Sequence, residues 1–415
     1  MTQQPLGLFA AYGVELEYMI VDARSLSVRP IADQLLRSAA GEIVSDMEWG
    51  DISWSNELAL HVIELKTTEP ARELEPLAAQ FQEHVGRINA LLAPLEARLM
   101  PTAMHPSMNP AREMQLWPHD YNTVYEAFNR VFDCRGHGWA NLQSVHLNLP
   151  FADDAQFGRL HAAIRLLLPL LPALAASSPL IDGRRSGLLD TRLDVYRGNA
   201  AKIPSISGQV IPEPVFTRSD YDREIFQRMY RDIAPFDADG TLQHEWLNAR
   251  GAIARWDRHA IEIRVLDIQE CPAADLAILQ VIREALQLLV QETCSDYAQQ
   301  RSVPQAELVE LLGRTIREAD EAAVDQPGVL AALGLVSNQA LTAREVWQRL
   351  LQQVSRRAGS GSDLPPEIEL ILNQGVLARR MARRVSAEPT ADELAQLCGD
   401  LCTCLAQGRM LHGTH

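Results

Sequence analysis

Residues 13–18 read Gly13-Val14-Glu15-Leu16-Glu17-Tyr18, inside a strand-like run from Ala11 to Val21. Side chains two residues apart on a strand share a face. Glu15 and Glu17 therefore point one way, and Val14, Leu16 and Tyr18 point the other, toward packed helices. Two neighbouring carboxylates on a sheet repel each other unless a cation lies between them. Mg²⁺, which prefers carboxylate oxygens, is such a cation. A solvated strand face is the competing reading, and this motif alone does not choose.

Three further stretches repeat the pattern. In NELALHVIELKTTEP, Asn56 to Pro70, Glu64 interrupts the apolar run Leu58–Leu65, where an unpaired charge is costly. A metal beside it removes the cost, and so does an edge strand that lets the carboxylate reach solvent. Glu57 is an odd number of residues from Glu64, so a straight strand puts the two on opposite faces; a bulge or a turn at Glu57 would reunite them. In SVHLNLP, Ser144 to Pro150, His146 and Asn148 share one face, with Val145, Leu147 and Leu149 on the other. Imidazole can ligate a metal or donate to a phosphate oxygen, and the amide can orient either. A satisfied histidine on a polar sheet face is the plainer alternative.

In ARWDRHAIEIRVLD, Ala254 to Asp267, Glu262 and Arg264 share a face, with Ile261, Ile263 and Val265 behind them. A guanidinium beside a metal-binding carboxylate suits phosphoryl transfer, whose transition state spreads charge over the equatorial oxygens. The alternative is a simple Glu–Arg strand pair. Arg255 and Arg258, on an expected turn, add further donors. No one of the four stretches is specific, but all four set polar groups opposite an apolar face.

The surrounding sequence frames these strands. Strand candidates are Ala11–Val21, Leu58–Thr67, Arg98–Met104, Leu142–Pro150 and Ala260–Asp267; helix candidates are Pro76–Leu95, Asp154–Ala176, Ser219–Ile233 and Ala273–Tyr297. Loops are expected at Asp182–Gly187 and Gly198–Pro214. After Arg301 strand signals fade and helical periodicity runs to Arg409, broken at Gly359–Pro366 and Pro389. The expectation is an α+β fold: a catalytic domain over 1–300 and a helical C-terminal extension over 301–415.

Composition narrows the partners. A net charge of −16 over 415 residues argues against nucleic acid or an anionic membrane, both of which need a basic surface. The opening MTQQPLGLFAAYG has no export-signal pattern, and Leu166–Ala176, with Pro169 and Pro172, is too short to span a bilayer. A cytoplasmic protein with reduced thiols at its six cysteines is expected. Cys398, Cys402 and Cys404 could hold a soft metal with His412 or His415, but the four-residue spacing reads more simply as buried small residues on one helix face. There is no G-x-S-x-G or Walker A motif, and Cys134 lacks catalytic partners.

In this order, GVELEY, ELALHVIELKTTEP, SVHLNLP, ASSPLIDG and AIEIRVLD resemble the glutamate–cysteine ligase family, in its second bacterial branch of carboxylate–amine ligases. The resemblance covers roughly residues 11–290. It implies a curved antiparallel sheet like that of glutamine synthetase and the guanidino kinases, with ATP entering from one side and amino-acid substrates from the other. Glu15, Glu17, Glu57, Glu64, His146 and Glu262 then match ligands of Mg²⁺ ions around the ATP phosphates, and Arg264 matches the arginine of the late E-x-R strand. Arg192 stands where the family places an arginine contacting the glutamyl substrate or the transferred phosphate, with Tyr196 or Arg197 assisting; Asn148 and Arg255 join the substrate-binding set. A homo-oligomer is also implied. The segment HEWLNARGAIARWD, His244 to Asp257, is not general in the family and marks a subgroup with its own amine.

The expected function is therefore ATP- and Mg²⁺-dependent joining of a carboxylate, glutamate's by resemblance, to cysteine or another amine through an acyl phosphate. Two other readings stay open: a phosphotransferase on the same fold that acts on a guanidino or carboxylate compound, and a non-enzymatic sensor of a nucleotide or amino acid.

Overall fold

The computed structural model describes residues 5–335, 339–358 and 364–413. His415 and residues 359–363 of the expected break lie outside them. The first sheet strands in chain order are β1 (Gly13–Asp22), β2 (Asp46–Trp49), β3 (Ile52–Asn56), β4 (Val62–Thr67), β5 (Ala97–Met100) and β6 (Ser144–Pro150). A two-stranded ribbon follows, β7 (Leu180–Ile181) and β8 (Arg184–Arg185), and then β9 (Ala252–Arg255) and β10 (Ala260–Asp267) return to the main sheet. The main sheet runs β2-β3-β4-β1-β6-β10-β9, with β5 also pairing β1. Every pairing in it is antiparallel.

The alternation in β1 sorts its side chains as expected. Val14, Leu16, Tyr18 and Ile20 are buried in the main core with residues of the helices Leu77–Leu92, Asp154–Leu167 and Pro272–Val290. Each fully buried aliphatic side chain there contributes roughly 1.5–3 kcal/mol. On the opposite face, Glu15 and Glu17 give way to Met19 and Val21, which sit in a separate apolar cluster with Cys398 and Cys402. Those cysteines belong to the helix Ala391–Gln407, which packs on β5. The polar face is thus left open only over its first half.

Several boundaries differ from the expectation, each for a local reason. The candidate Leu58–Thr67 is a strand only from Val62, because β3 precedes it and the chain turns at 57–61. Strands β2, β3 and β9 were not anticipated; β2 is a four-residue edge strand, and β3 carries serines at alternate positions. The expected helix Asp154–Ala176 is interrupted at Leu168–Leu170, where Pro169 cannot donate to the helical ladder. Ser219–Ile233 holds as one run from Arg218, with a π-turn at Asp222–Phe226. Ala273–Tyr297 ends early at Val290, and Asp296 caps a new helix, Tyr297–Ser302, by accepting from Gln299 N. The expected loop Asp182–Gly187 holds the β7–β8 hairpin, with Asp182 and Gly183 at positive φ, as an Asp-Gly turn requires.

Past residue 301 the chain is helical apart from a short ribbon, Ala323–Val324 with Leu341–Thr342, where no strand was expected. The helices Gln305–Glu318 and Ala343–Ala358 contribute Leu308, Leu312, Val346 and Trp347 to the same core that holds Val14 and Leu16. Glu270 and Arg380 form a fully buried ion pair across the expected boundary, and the Leu411 backbone joins it. Described residues on both sides of residue 301 therefore contribute to one core. Among the described residues no helix is long and apolar enough to cross a membrane.

Candidate active site

The register of the sheet assembles the polar face. Glu15 lies between His146 on β6 and Lys66 on β4, Glu17 is opposite Glu64, and Glu262 is opposite Asn148. Beyond Ile263 the β10–β6 register shifts, a bulge that re-aims Arg264. These groups line a cavity of about 1000 Å³.

His146 is the hub. Its Nδ1 lies 2.6 Å from Glu15 Oε2 and 3.8 Å from Glu262 Oε1, and its Nε2 lies 3.0 Å from Ser144 Oγ and 3.9 Å from Glu17 Oε1. Burial alone would lower the imidazole's pKa, but Glu15, Glu17 and Glu262 raise it to about 9. Asn148 Nδ2 donates to Glu15 Oε1 at 3.0 Å. Glu17 Oε2 accepts from both Ser144 N (2.6 Å) and Ser144 Oγ (2.9 Å). Glu64 accepts from Ser55 Oγ at 2.7 Å and pairs with Lys66 Nζ at 3.3 Å. Burial and the charge of Glu15 nonetheless push Glu64 up to about 7.

Glu57 joins this group. It follows the last residue of β3, and the turn that separates β3 from β4 removes the parity obstacle of a straight strand. Burial, followed by the charges of Glu17 and Glu64, raises its carboxyl well above the usual range. Glu262 shows the reverse: burial would raise it, but Arg264, His146 and Arg255 hold it at about 2. Arg264 Nε donates to Glu262 Oε1 at 3.0 Å, Arg264 Nη2 donates to the same oxygen, and Arg255 Nη1 reaches Oε2 at 3.3 Å.

Two sets of three ligand atoms converge to within 4.8 Å: Glu15–His146–Glu262 and Glu17–Glu64–His146. Crowded carboxylates with an imidazole form a donor set that fits hard divalent cations such as Mg²⁺.

The arginine expectations separate. Arg192, on the helix Thr191–Tyr196, is only 2% exposed and lies beneath the bulge. Its Nη2 donates to Arg264 O at 2.9 Å, and its Nη1 to Val265 O at 3.1 Å and Asp267 Oδ1 at 3.3 Å. It therefore holds the strand carrying Arg264 with its terminal nitrogens on protein acceptors, and it also lines the cavity. Arg197 is exposed one residue past that helix, pairs with Asp194 and does not line the cavity, contrary to the expectation of a substrate contact. Tyr196 lines the cavity and interacts with Arg264.

Sequence reasoning missed Ser55, Lys66 and Ser144. Lys66 and Ser144 stand two residues from Glu64 and His146, so the parity rule already in use places them on the same face. It also missed the aromatic residues Tyr125, Phe128 and Trp139, which line the Glu17 end of the cavity. Cys398 and Cys402 are buried in an apolar cluster, as the simpler reading had it.

Comparisons with known proteins show the family and the fold. An uncharacterized protein of Archaeoglobus fulgidus is 31% identical over 398 residues, covering 96% of this chain and 99% of that protein. A protein of Bradyrhizobium sp. (strain BTAi1), provisionally named glutamate–cysteine ligase 2, is 27% identical over 65% of this chain and 59% of its own length. The present chain thus spans about three fifths of that relative. Among solved structures, the glutamate–cysteine ligase of Francisella tularensis in complex with AMP superposes with a TM-score of 0.63 at 12% identity, covering 96% of this chain and 89% of that one. A bifunctional glutathione synthetase of Pasteurella multocida gives 0.56 at 14%, covering 95% and 52%. These two establish the fold. The model of glutamate–cysteine ligase family 2 matches residues 11–400, crossing residue 301 without a break, and the chain belongs to that family of carboxylate–amine ligases.

Proposed function

We propose that the chain uses ATP and Mg²⁺ to activate a carboxylate, glutamate's γ-carboxyl, as an acyl phosphate and passes the acyl group to an amine. The observation that carries this reading is the convergence of Glu15, Glu17, Glu64, His146 and Glu262 on one sheet face beside Arg264. Mg²⁺ held by those carboxylates, with Glu57 at their edge, would neutralise the ATP phosphates and the charge that develops on transfer.

The chain's own residues then have distinct tasks. Arg264, aimed by the bulge and steadied by Glu262, stabilises the equatorial oxygens of the moving phosphoryl group. Arg192 acts as a positioning residue, fixing the backbone of Arg264 and Val265. Lys66 pairs with Glu64 and Asp46, while Arg255, held by Glu262 and Asp257, and Arg258 stand past the Gly13 end of the cavity, where they suit a nucleotide. Asn148 and Ser144 orient Glu15 and Glu17. In the first step the substrate carboxylate oxygen bonds to the γ-phosphorus and ADP leaves. In the second the amine nitrogen bonds to the acyl carbon, phosphate leaves with the electron pair, and the amine loses a proton to solvent. We place this chemistry in the cytoplasm, on small-molecule substrates.

The test is ADP release from ATP with glutamate and a panel of amines, with and without Mg²⁺. Release that requires both an amine and Mg²⁺ supports the reading. Release without amine, yielding a stable phosphorylated product, would instead identify a phosphotransferase.

A further inference from the structure

The cavity has two unlike ends. It runs along β1 from Gly13, opposite Asn148, to Glu17, opposite Glu64. Thr68, just beyond β4, and Arg258 and His259, in the β9–β10 turn, stand at the Gly13 end. The Glu17 end is walled by Tyr125, Phe128 and Trp139, all partly exposed. Tyr125 accepts from Asn56 Nδ2 at 3.1 Å, and its hydroxyl is electrostatically coupled to Glu57.

The wall is built, not incidental. Phe128 and Trp139 have ring centroids 5.3 Å apart, and Phe132 stacks behind Trp139 at 5.5 Å. Trp246 supports Phe128 at 5.7 Å and carries His244 stacked on it at 5.5 Å. Trp246 and His244 come from the segment His244–Asp257, and the ligase chemistry leaves these two residues without a task. The short helix His137–Ala140, which bears Trp139, is pinned on two sides. Asn199 Nδ2 donates to Gly138 O so closely that a Cβ on Gly138 would overlap the Asn199 side chain, and His137 Nε2 lies 3.0 Å from Asp182 Oδ1. A preorganised aromatic surface favours flat or bulky apolar groups, since no ordering of the wall is needed on binding.

We propose that this wall is the acceptor-amine subsite, and that the amine carries an aromatic or large apolar body, unlike the small polar side chain of cysteine. The ligase reading puts the nucleotide at the Gly13 end, where Arg258 stands with Asp257 and Glu69, so the amine arrives from the opposite mouth and meets the aromatic rings first. Tyr125, hydrogen-bonded to Asn56 beside the turn at Glu57, gives its ammonium form a ring face to approach. The segment His244–Asp257 is then a specificity element acting through Trp246 on Phe128. The inference rests on the ligase reading for its chemistry, but the wall can be tested by binding alone.

The experiment has two arms, both on the full chain. In the first, phenethylamine, ethylamine and cysteine are titrated by calorimetry with Mg²⁺, a non-hydrolysable ATP analogue and glutamate present. Phenethylamine is expected to bind at least about tenfold more tightly than ethylamine or cysteine. Trp139→Ala and Phe128→Ala each erase most of that preference, and affinity for the ATP analogue stays within about twofold. The second arm measures kcat/KM for ADP release with the same amines and expects the same order. Equal or stronger binding of cysteine overturns the inference. So does a preference that survives both substitutions, or a loss of ATP-analogue affinity in Trp139→Ala, which would make the wall a nucleobase platform. Selective binding of phenethylamine with no turnover on any amine upholds the wall and counts instead against the ligase reading.

Discussion

Arg192 Nη2 donates to the main-chain carbonyl of Arg264 at 2.9 Å, so the fully buried arginine governs where the half-buried one points. Replacing Arg192 by Lys keeps the charge but loses the planar fork that reaches Arg264 O, Val265 O and Asp267 together. The expected result is a fall in kcat of about 10- to 100-fold with the KM for the carboxylate substrate within about twofold, read from steady-state kinetics. A rise in that KM with kcat intact would mean that Arg192 contacts substrate after all.

The opposite side of the bulge gives a second prediction. Gly251 O accepts from Arg264 N at 3.0 Å, and a Cβ on Gly251 would lie 2.6 Å from Val265 Cγ1 and 3.0 Å from Val210 Cγ1. Gly251→Ala should therefore cost about 1–3 kcal/mol in urea unfolding and lower turnover as the bulge shifts. Wild-type stability in that variant would show that the packing around Val265 relaxes freely.

Glu15→Gln and Glu262→Gln should differ. Both remove a carboxylate from the converging donor sets, so both should lose turnover. Glu262 also neutralises Arg264 and Arg255 in a buried setting. Removing its charge leaves two guanidiniums short of a partner, at a cost of up to about 3–5 kcal/mol. Glu15→Gln keeps an acceptor for Asn148 and should unfold near the wild-type urea midpoint.

Acid sensitivity has an identifiable source outside the site. His61 is fully buried with Nε2 at 2.7 Å from Ala140 O, and burial lowers its pKa from 6.5 to about 4. The unfolded chain binds the proton first, so the stability from this residue is complete above pH 6.5 and is lost as pH falls through about 4. The loss is of order 3 kcal/mol. His61→Gln, which can still donate to Ala140 O, should flatten the urea-stability profile across that window by about as much; an unchanged profile would assign the sensitivity elsewhere.

What the sequence made legible follows from the range of each signal. Strand parity placed Glu15, Glu17, His146, Asn148, Glu262 and Arg264 on one face because a two-residue period is a local property. The same rule stalled at Glu57, since the β3–β4 turn is set by strand pairing, and β3, although Ile52 and Trp54 alternate with Ser53 and Ser55, is only five residues long. Arg192 and Arg197 looked alike in sequence; one turn of helix sends the first beneath β10 and the second to solvent. The aromatic wall was invisible for a related reason. Tyr125, Phe128, Trp139 and Trp246 come from segments brought together only by tertiary packing, and none carries a motif.

The central claim is activation of a carboxylate as an acyl phosphate, and isotope transfer tests it most directly. Glutamate labelled with ¹⁸O in its γ-carboxyl is turned over with ATP, Mg²⁺ and an accepted amine, and the released phosphate is examined by mass spectrometry. The account predicts one labelled oxygen in each phosphate formed, because the bond broken by the amine leaves a carboxylate oxygen on phosphorus. Unlabelled phosphate from a reaction that nonetheless forms the amide would contradict it.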